Sequence, residues 1–220
     1  MKTIFIAPHP DDEVLGVGGT ILRRKSEGAE VALVLVTSPL VADGWSDEFI
    51  RQKNYELQKS IEFFNFDEVY KLNFPTTRLD QVPIRDIVDG LSHAFNSFKP
   101  VEVFFPHSGD VHSDHRVVFD AVQSCIKWFR HPTILRALTY ETLSETDFNT
   151  SAINQFVPNV FIDIEKFLES KLDALDGYST ELGQFPFPRS RESVRALALI
   201  RGAASGFAAA EAFALLRERS

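Results

Sequence analysis

The run Val31–Thr37 is apolar at almost every position, on both alternations of an extended chain. A strand with two apolar faces must be covered on both sides, which is the condition of an interior strand in a parallel sheet. Further strand-like runs recur at Lys2–Pro8, Glu68–Leu72, Val101–Phe105 and Leu135–Glu141, with Val160–Ile164 as a further candidate. Helical stretches lie between them. One spans Gly16–Gly28, one runs from a Ser46 or Asp47 cap to about Phe64, and one from Pro83 to about Phe98. Others span Asp114 to about Trp128 and Glu165 to about Tyr178, and the alanine-rich tail Arg191–Arg217 reads as helix. Strand–helix alternation of this kind predicts an α/β sandwich around a mostly parallel sheet. At 220 residues the chain fits one domain, residues 1–220.

In such sheets ligands bind beyond the carboxyl ends of the strands. Two of the expected strands end in clusters of histidine and carboxylate: His9-Pro10-Asp11-Asp12 after the first, and His112-Ser113-Asp114-His115 after the fourth. Each cluster alone has an ordinary explanation. Pro-Asp-Asp before a helix is a capping signal, because carboxylates favour helix N-termini, and His112 and His115 alone suit an exposed first turn. Together, at equivalent strand ends, they predict a metal site. A catalytic zinc site takes three protein ligands and leaves one position open. His9, Asp12, His112 and His115 are candidate ligands, and Asp11 and Asp114 are surplus carboxylates for a general base and a ligand-orienting role. Of the other histidines, His107 ends a strand and could border the pocket, His93 reads as structural and His131 as a surface residue. The loops Thr37–Gly44 and Gln184–Arg191 are expected to border the site.

Composition narrows the function further. A formal net charge of −8 and the lack of a basic stripe argue against nucleic-acid binding. A single cysteine, Cys125, excludes a disulfide framework and reads as a buried thiol. No apolar stretch approaches the roughly 20 residues of a membrane span, and the expectation is a cytoplasmic protein without a membrane span.

The stretch Ala7-Pro8-His9-Pro10-Asp11-Asp12-Glu13, with Gly16 and Gly18-Gly19 behind it, resembles the first motif of the PIG-L/LmbE metal-dependent N-deacetylases. Asp110-Val111-His112-Ser113-Asp114-His115-Arg116 is similar to the second. The likeness continues through Tyr140-Glu141, Phe156-Val157-Pro158-Asn159, Asp163, Lys171, Tyr178 and Pro188-Arg189-Ser190 to Arg201-Gly202 and Ala210-Glu211-Ala212-Phe213. The resemblance implies a Rossmann-like three-layer fold, often oligomeric, that hydrolyses the N-acetyl group of an amino sugar or its conjugate. It implies His9, Asp12 and His115 as ligands of zinc, with ferrous iron as an option. Asp11 would be the general base, His112, in its protonated form, the stabiliser of the oxyanion, and Asp114 the residue that orients His112. Arg51 matches an arginine that contacts sugar hydroxyls or a phosphate, although the glutamate usual three residues later is here Asn54.

Beside the resemblance, Arg78 and Asp80 follow the third strand and could bind sugar hydroxyls or pair with each other on the surface. Tyr140 sits at a strand end, and Arg189 lies in a late loop where it could meet a phosphate or carboxylate. The partner is a small N-acetylated sugar, free or carried on a nucleotide, a lipid or an antibiotic intermediate; another small amide is the alternative. A nucleotide-binding reading of Gly16-Val17-Gly18-Gly19 fails on spacing, since Ile21 stands at the third glycine position and strand two ends in Thr37-Ser38 without an acidic residue. A serine hydrolase lacks its Gly-x-Ser-x-Gly elbow. A purely structural metal site would have no use for the spare Asp11 and His112.

Overall fold

A computed structural model describes all 220 residues. It contains seven strands: β1 (Lys2–Ala7), β2 (Glu30–Ser38), β3 (Glu68–Pro75), β4 (Glu102–Pro106), β5 (Arg136–Tyr140), β6 (Val160–Asp163) and β7 (Ala210–Glu218). Six α-helices accompany them: α1 (Asp12–Ser26), α2 (Asp47–Phe64), α3 (Ile84–Phe98), α4 (Ser113–Cys125), α5 (Leu168–Leu175) and α6 (Arg191–Ser205). The strands form one sheet in the order β3-β2-β1-β4-β5-β7-β6. Strands β1 to β5 pair in parallel, and β7 runs antiparallel to both β5 and β6.

Alternation along the buried strands sorts side chains into two cores. Phe5, Val31, Phe104 and Leu138 face the layer of α1, α5 and α6. Ile4, Ile6, Ala32, Val34, Val103 and Phe105 face α3 and α4. This is the expected three-layer sandwich, and no helix is long and apolar enough to cross a membrane. The chain order steps outward from β1 through β2 to β3, then returns to the other side of β1 as β4. The sheet therefore reverses its winding between β1 and β4, the point where neighbouring connections diverge and leave a crevice. Both histidine clusters emerge there.

The C-terminal tail departs from expectation. Helix α6 stops at Ser205, with Gly206 in the left-handed region at φ 81° as its cap. Residues 210–218 then form β7 rather than more helix. Alanine favours helix locally, but strand β5 offers an open edge, and β7 fills it while also pairing with β6. Tertiary hydrogen bonding overrides local propensity.

Glu211 consequently lies on a strand, and its location links β7 to α1. Its carboxylate accepts from the Gly19 and Thr20 backbone N–H groups at 2.8 and 2.7 Å and from Lys171 Nζ at 2.6 Å. Lys171 also donates to the Leu15 carbonyl at 2.9 Å. The buried ion pair thus engages both ends of the Leu15–Gly19 rung of α1. Close approach requires the glycines: a Cβ on Gly16 would lie 2.3 Å from the Tyr140 ring, and one on Gly19 2.7 Å from Ile164. Truncating one member of a buried pair strands the other charge, which costs about 3–5 kcal/mol. Glu211→Ala is therefore expected to lower the urea unfolding free energy by about that amount; a change within a few tenths of a kcal/mol would show that the pair does not brace α1.

Candidate metal and catalytic site

Strand β1 ends at Ala7, and α1 begins only five residues later at Asp12, so His9 and Asp12 are turned toward each other within one tight loop. The His9 backbone N–H donates to Asp12 Oδ2 at 2.8 Å. Asp11 caps the helix with φ at 121°, a conformation that a side-chain-bearing residue adopts only under constraint. The constraint is visible. The Asp11 N–H donates to Glu13 Oε2 at 3.0 Å, while Glu13 Oε1 accepts from Ser60 at 2.6 Å and Tyr178 at 2.5 Å. A buried carboxylate thus ties the loop to α2 and to the turn after α5.

The second cluster opens α4. His115 Nε2 lies 3.3 Å from Asp12 Oδ2, and His9 Nδ1 lies 3.5 Å from the same oxygen. One ligand atom from each of His9, Asp12 and His115 falls within 4.8 Å of the others. The far side of each ring is also held. His115 Nδ1 meets Asp110 Oδ2 at 2.9 Å, and Asp110 Oδ1 accepts from Thr146 at 2.7 Å. His9 Nε2 meets Asp114 Oδ2 at 2.9 Å, and the Asp114 carboxylate accepts from the Thr77 and Leu79 N–H groups at 2.7 and 3.1 Å. A carboxylate behind each imidazole fixes its tautomer and turns the other nitrogen's lone pair inward, the pattern of histidine metal ligands. The donor set of two imidazoles and a carboxylate fits a divalent transition metal. A second grouping, His9, His112 and Asp114, is equally compact, but there Asp114 is already occupied by backbone donors.

Two expectations change at this point. Asp114 orients His9 through its carboxylate; only its backbone N–H reaches His112, donating to Nδ1 at 3.1 Å. That bond leaves the proton of a neutral His112 on Nε2. Burial, reinforced by the neighbouring His9 and His115, presses the His112 pKa down to about 4. The ring is therefore neutral at pH 7 rather than an imidazolium, and it offers the cavity an N–H donor.

The remaining electrostatics follow from crowding. Burial disfavours charge on His9, yet its hydrogen bonds to Asp114 and Asp12 outweigh this and push its pKa up to about 9. Burial likewise opposes charge on His115, and Asp12 and Asp110 overcome it, raising the pKa well above the ordinary value. Asp12 is held ionised by His115 and His9 against the cost of burial. Asp11 moves the other way: burial, then repulsion from Asp12 and Glu181, raises its pKa well above the usual carboxylate range, with Arg189 offsetting part of the rise.

These groups line an open cavity of about 200 Å³ that also takes in Trp45, Phe49, Lys53, Glu145, Glu181 and Arg189. Arg189 donates to Asp11 at 3.1 Å and to Glu181 at 2.8 Å. The other expected sugar contacts lie elsewhere. Arg51 is exposed on α2 and does not border the cavity; Lys53, one turn after Phe49, does. A 3.6-residue period through Phe49, Lys53, Glu56 and Ser60 marks that inward face. Arg78 pairs with Asp43 at 3.0 Å, not with Asp80, which is exposed. Tyr140 is fully buried, its hydroxyl donating to the Ile6 carbonyl at 2.8 Å. His107 is buried against Phe156 away from the cavity, and His131 is buried against Phe95 rather than on the surface. Both loops flagged from the sequence contribute, through Pro39 and Arg189.

The chain belongs to the PIG-L family, described as GlcNAc-PI de-N-acetylase, which it matches over residues 4–126, a span that includes both clusters. Among curated relatives, the diacetylchitobiose deacetylase of Thermococcus kodakarensis is 26% identical, over 96% of this chain and 81% of the relative. The fold is shared with the conserved protein TT1542 of Thermus thermophilus, at TM-score 0.77 and 23% identity over 99% of this chain and 96% of that one. It is shared equally with GalB, a 4-carboxy-2-hydroxymuconate hydratase of Pseudomonas putida, at TM-score 0.76 and 16% identity over 100% and 98% of the two chains. The fold therefore does not select one chemistry, and the site must.

Metal loading should be linked to protons, because ligating imidazoles must be neutral. His9, with its pKa near 9, and His115 both hold protons at pH 7 when no cation is present. Zinc binding is expected to release protons and to tighten as pH rises toward 9. Calorimetry in buffers of different ionisation enthalpy measures this directly, and zero release would contradict the ligand assignment. Asp110→Ala should weaken zinc binding by roughly 10- to 100-fold, as loss of a carboxylate behind a ligand does.

Proposed function

We propose that this protein hydrolyses the N-acetyl group of an amino sugar or amino-sugar conjugate, releasing acetate and a free amine. The observation that carries the reading is the juxtaposition of three metal-ligating side chains with an independent carboxyl of raised pKa, Asp11, and a neutral imidazole donor, His112, around one cavity. Zinc is the cation we propose for His9, Asp12 and His115, with ferrous iron as the second option, since imidazole and carboxylate serve both. Bound there, a divalent cation supplies Lewis acidity to a carbonyl and acidifies water.

The chain's own residues account for the proton traffic. A carboxylate with a raised pKa is a stronger base than a free aspartate, so Asp11 is suited to take the proton of the attacking water. Protonated, it becomes the acid that delivers this proton to the departing nitrogen. Arg189 holds Asp11 in place through its hydrogen bond. The His112 Nε2–H meets negative charge as it develops on the carbonyl oxygen, and a preorganised donor of this kind contributes about 2.7–4 kcal/mol to a barrier. The deacetylase relative from Thermococcus kodakarensis and the description of the family support this reaction over hydration or phosphoryl chemistry. We further read the protein as cytoplasmic, which its lone buried cysteine suits.

Asp11→Ala is expected to lower turnover by about two to four orders of magnitude, with metal content preserved. Acetate release from N-acetylglucosamine, together with metal analysis of the same sample, checks both parts. Wild-type rates in that variant would remove Asp11 from its assigned role.

A further inference from the structure

Trp45 stands at the mouth of the cavity in a position that no catalytic role explains. The residue before it, Gly44, turns the chain through φ 91°, and the residue after it, Ser46, caps α2 by accepting from the Phe49 N–H at 3.1 Å. The Arg78–Asp43 pair ties this turn to the loop after β3. Its indole lies flat on Phe49, with ring centroids 4.7 Å apart and an interplanar angle of 16°. One face is braced by Phe49, and Trp45 borders the cavity while remaining half-exposed.

Behind the aromatic pair the charges are already matched. Lys53 lies 5.6 Å from the Phe49 ring centroid and is salt-bridged to Glu181. Arg189 sits between Glu181 and Asp11. These are the two lysine or arginine side chains that line the cavity, and both are engaged, while Glu145 adds a further carboxyl. A phosphate or diphosphate entering here would meet carboxylates before a free cation. An uncharged pyranose has no such conflict: its C–H face suits the electron-rich face of an indole.

We infer that the cavity mouth is a stacking subsite for an uncharged sugar ring joined to the amino sugar, and that Trp45 is its specificity-determining contact. This rests on the deacetylase reading and narrows its substrate to neutral glycosides rather than nucleotide sugars.

The test compares acetate release by the metal-loaded enzyme from N-acetylglucosamine, N,N′-diacetylchitobiose and UDP-N-acetylglucosamine. The disaccharide should have the highest kcat/KM and the nucleotide sugar the lowest. Trp45→Ala should reduce the disaccharide-to-monosaccharide ratio by about two- to thirteenfold, the equivalent of the roughly 0.5–1.5 kcal/mol of an aromatic stacking contact; Trp45→Phe should keep most of that ratio. A measurement without turnover uses Trp128→Phe in the Asp11→Ala background, where Trp45 is the one tryptophan left of two. Its emission should change on titration with the disaccharide. A preference for the nucleotide sugar, an equal loss on both substrates in Trp45→Ala, or a silent emission overturns the subsite and leaves deacetylation standing. Acetate release from none of the three overturns the deacetylase reading and this inference with it.

Discussion

The site is organised around one oxygen. Asp12 Oδ2 is approached by His9, by His115 and by the His9 backbone N–H, all at the buried end of the sheet. Gathering ionisable groups where water is scarce is costly unless each has a partner. The second ring nitrogens of both histidines are therefore answered by Asp110 and Asp114, and those carboxylates by Thr146 and by the Thr77 and Leu79 amides. The result is a closed chain of hydrogen bonds from the loop after β3 to the strap after β5, with the three inward-facing ligand atoms at its centre. A divalent cation would replace the protons that hold this arrangement together in its absence.

Asp11 is the complement of that arrangement. Its neighbour Asp12 is held ionised while Asp11 is pushed toward protonation, so two adjacent carboxyls in one loop are driven to opposite protonation behaviour. The positive φ at Asp11 separates them, sending one side chain toward the histidines and the other toward Arg189. Strain of this kind persists only where the surroundings over-determine it. Glu13, fully buried and bonded to Ser60 and Tyr178, is the residue that does so. A motif of four polar residues thus divides into two candidate ligands, the base we propose and a backbone brace.

Much of the catalytic end is legible from residue order, because strand ends in a parallel sheet share one edge and short spacings keep side chains together. The departures have a common cause. Position along the chain puts Tyr140, Arg51, Arg78 and Asp80 near the cavity, but which way a side chain points at the end of a strand or on a helix depends on packing. Tyr140 turns into the core over Gly16, and Arg51 turns to solvent while Lys53 turns inward. The alanine-rich tail departs for a related reason: local propensity cannot register the open edge of β5.

The sequence by itself determined the alternating architecture and the two clusters of candidate metal ligands, since hydrophobic period and residue chemistry are local properties. It also identified Asp11 as a carboxyl to spare. Only the tertiary structure decided that the Asp114 carboxylate serves His9 rather than His112, that His112 Nδ1 accepts from the Asp114 amide, and that Lys53, Glu181 and Arg189 form one paired wall near Trp45. Those outcomes depend on burial and on contacts between segments more than a hundred residues apart, such as Lys53 with Glu181, and no short window of sequence carries that information.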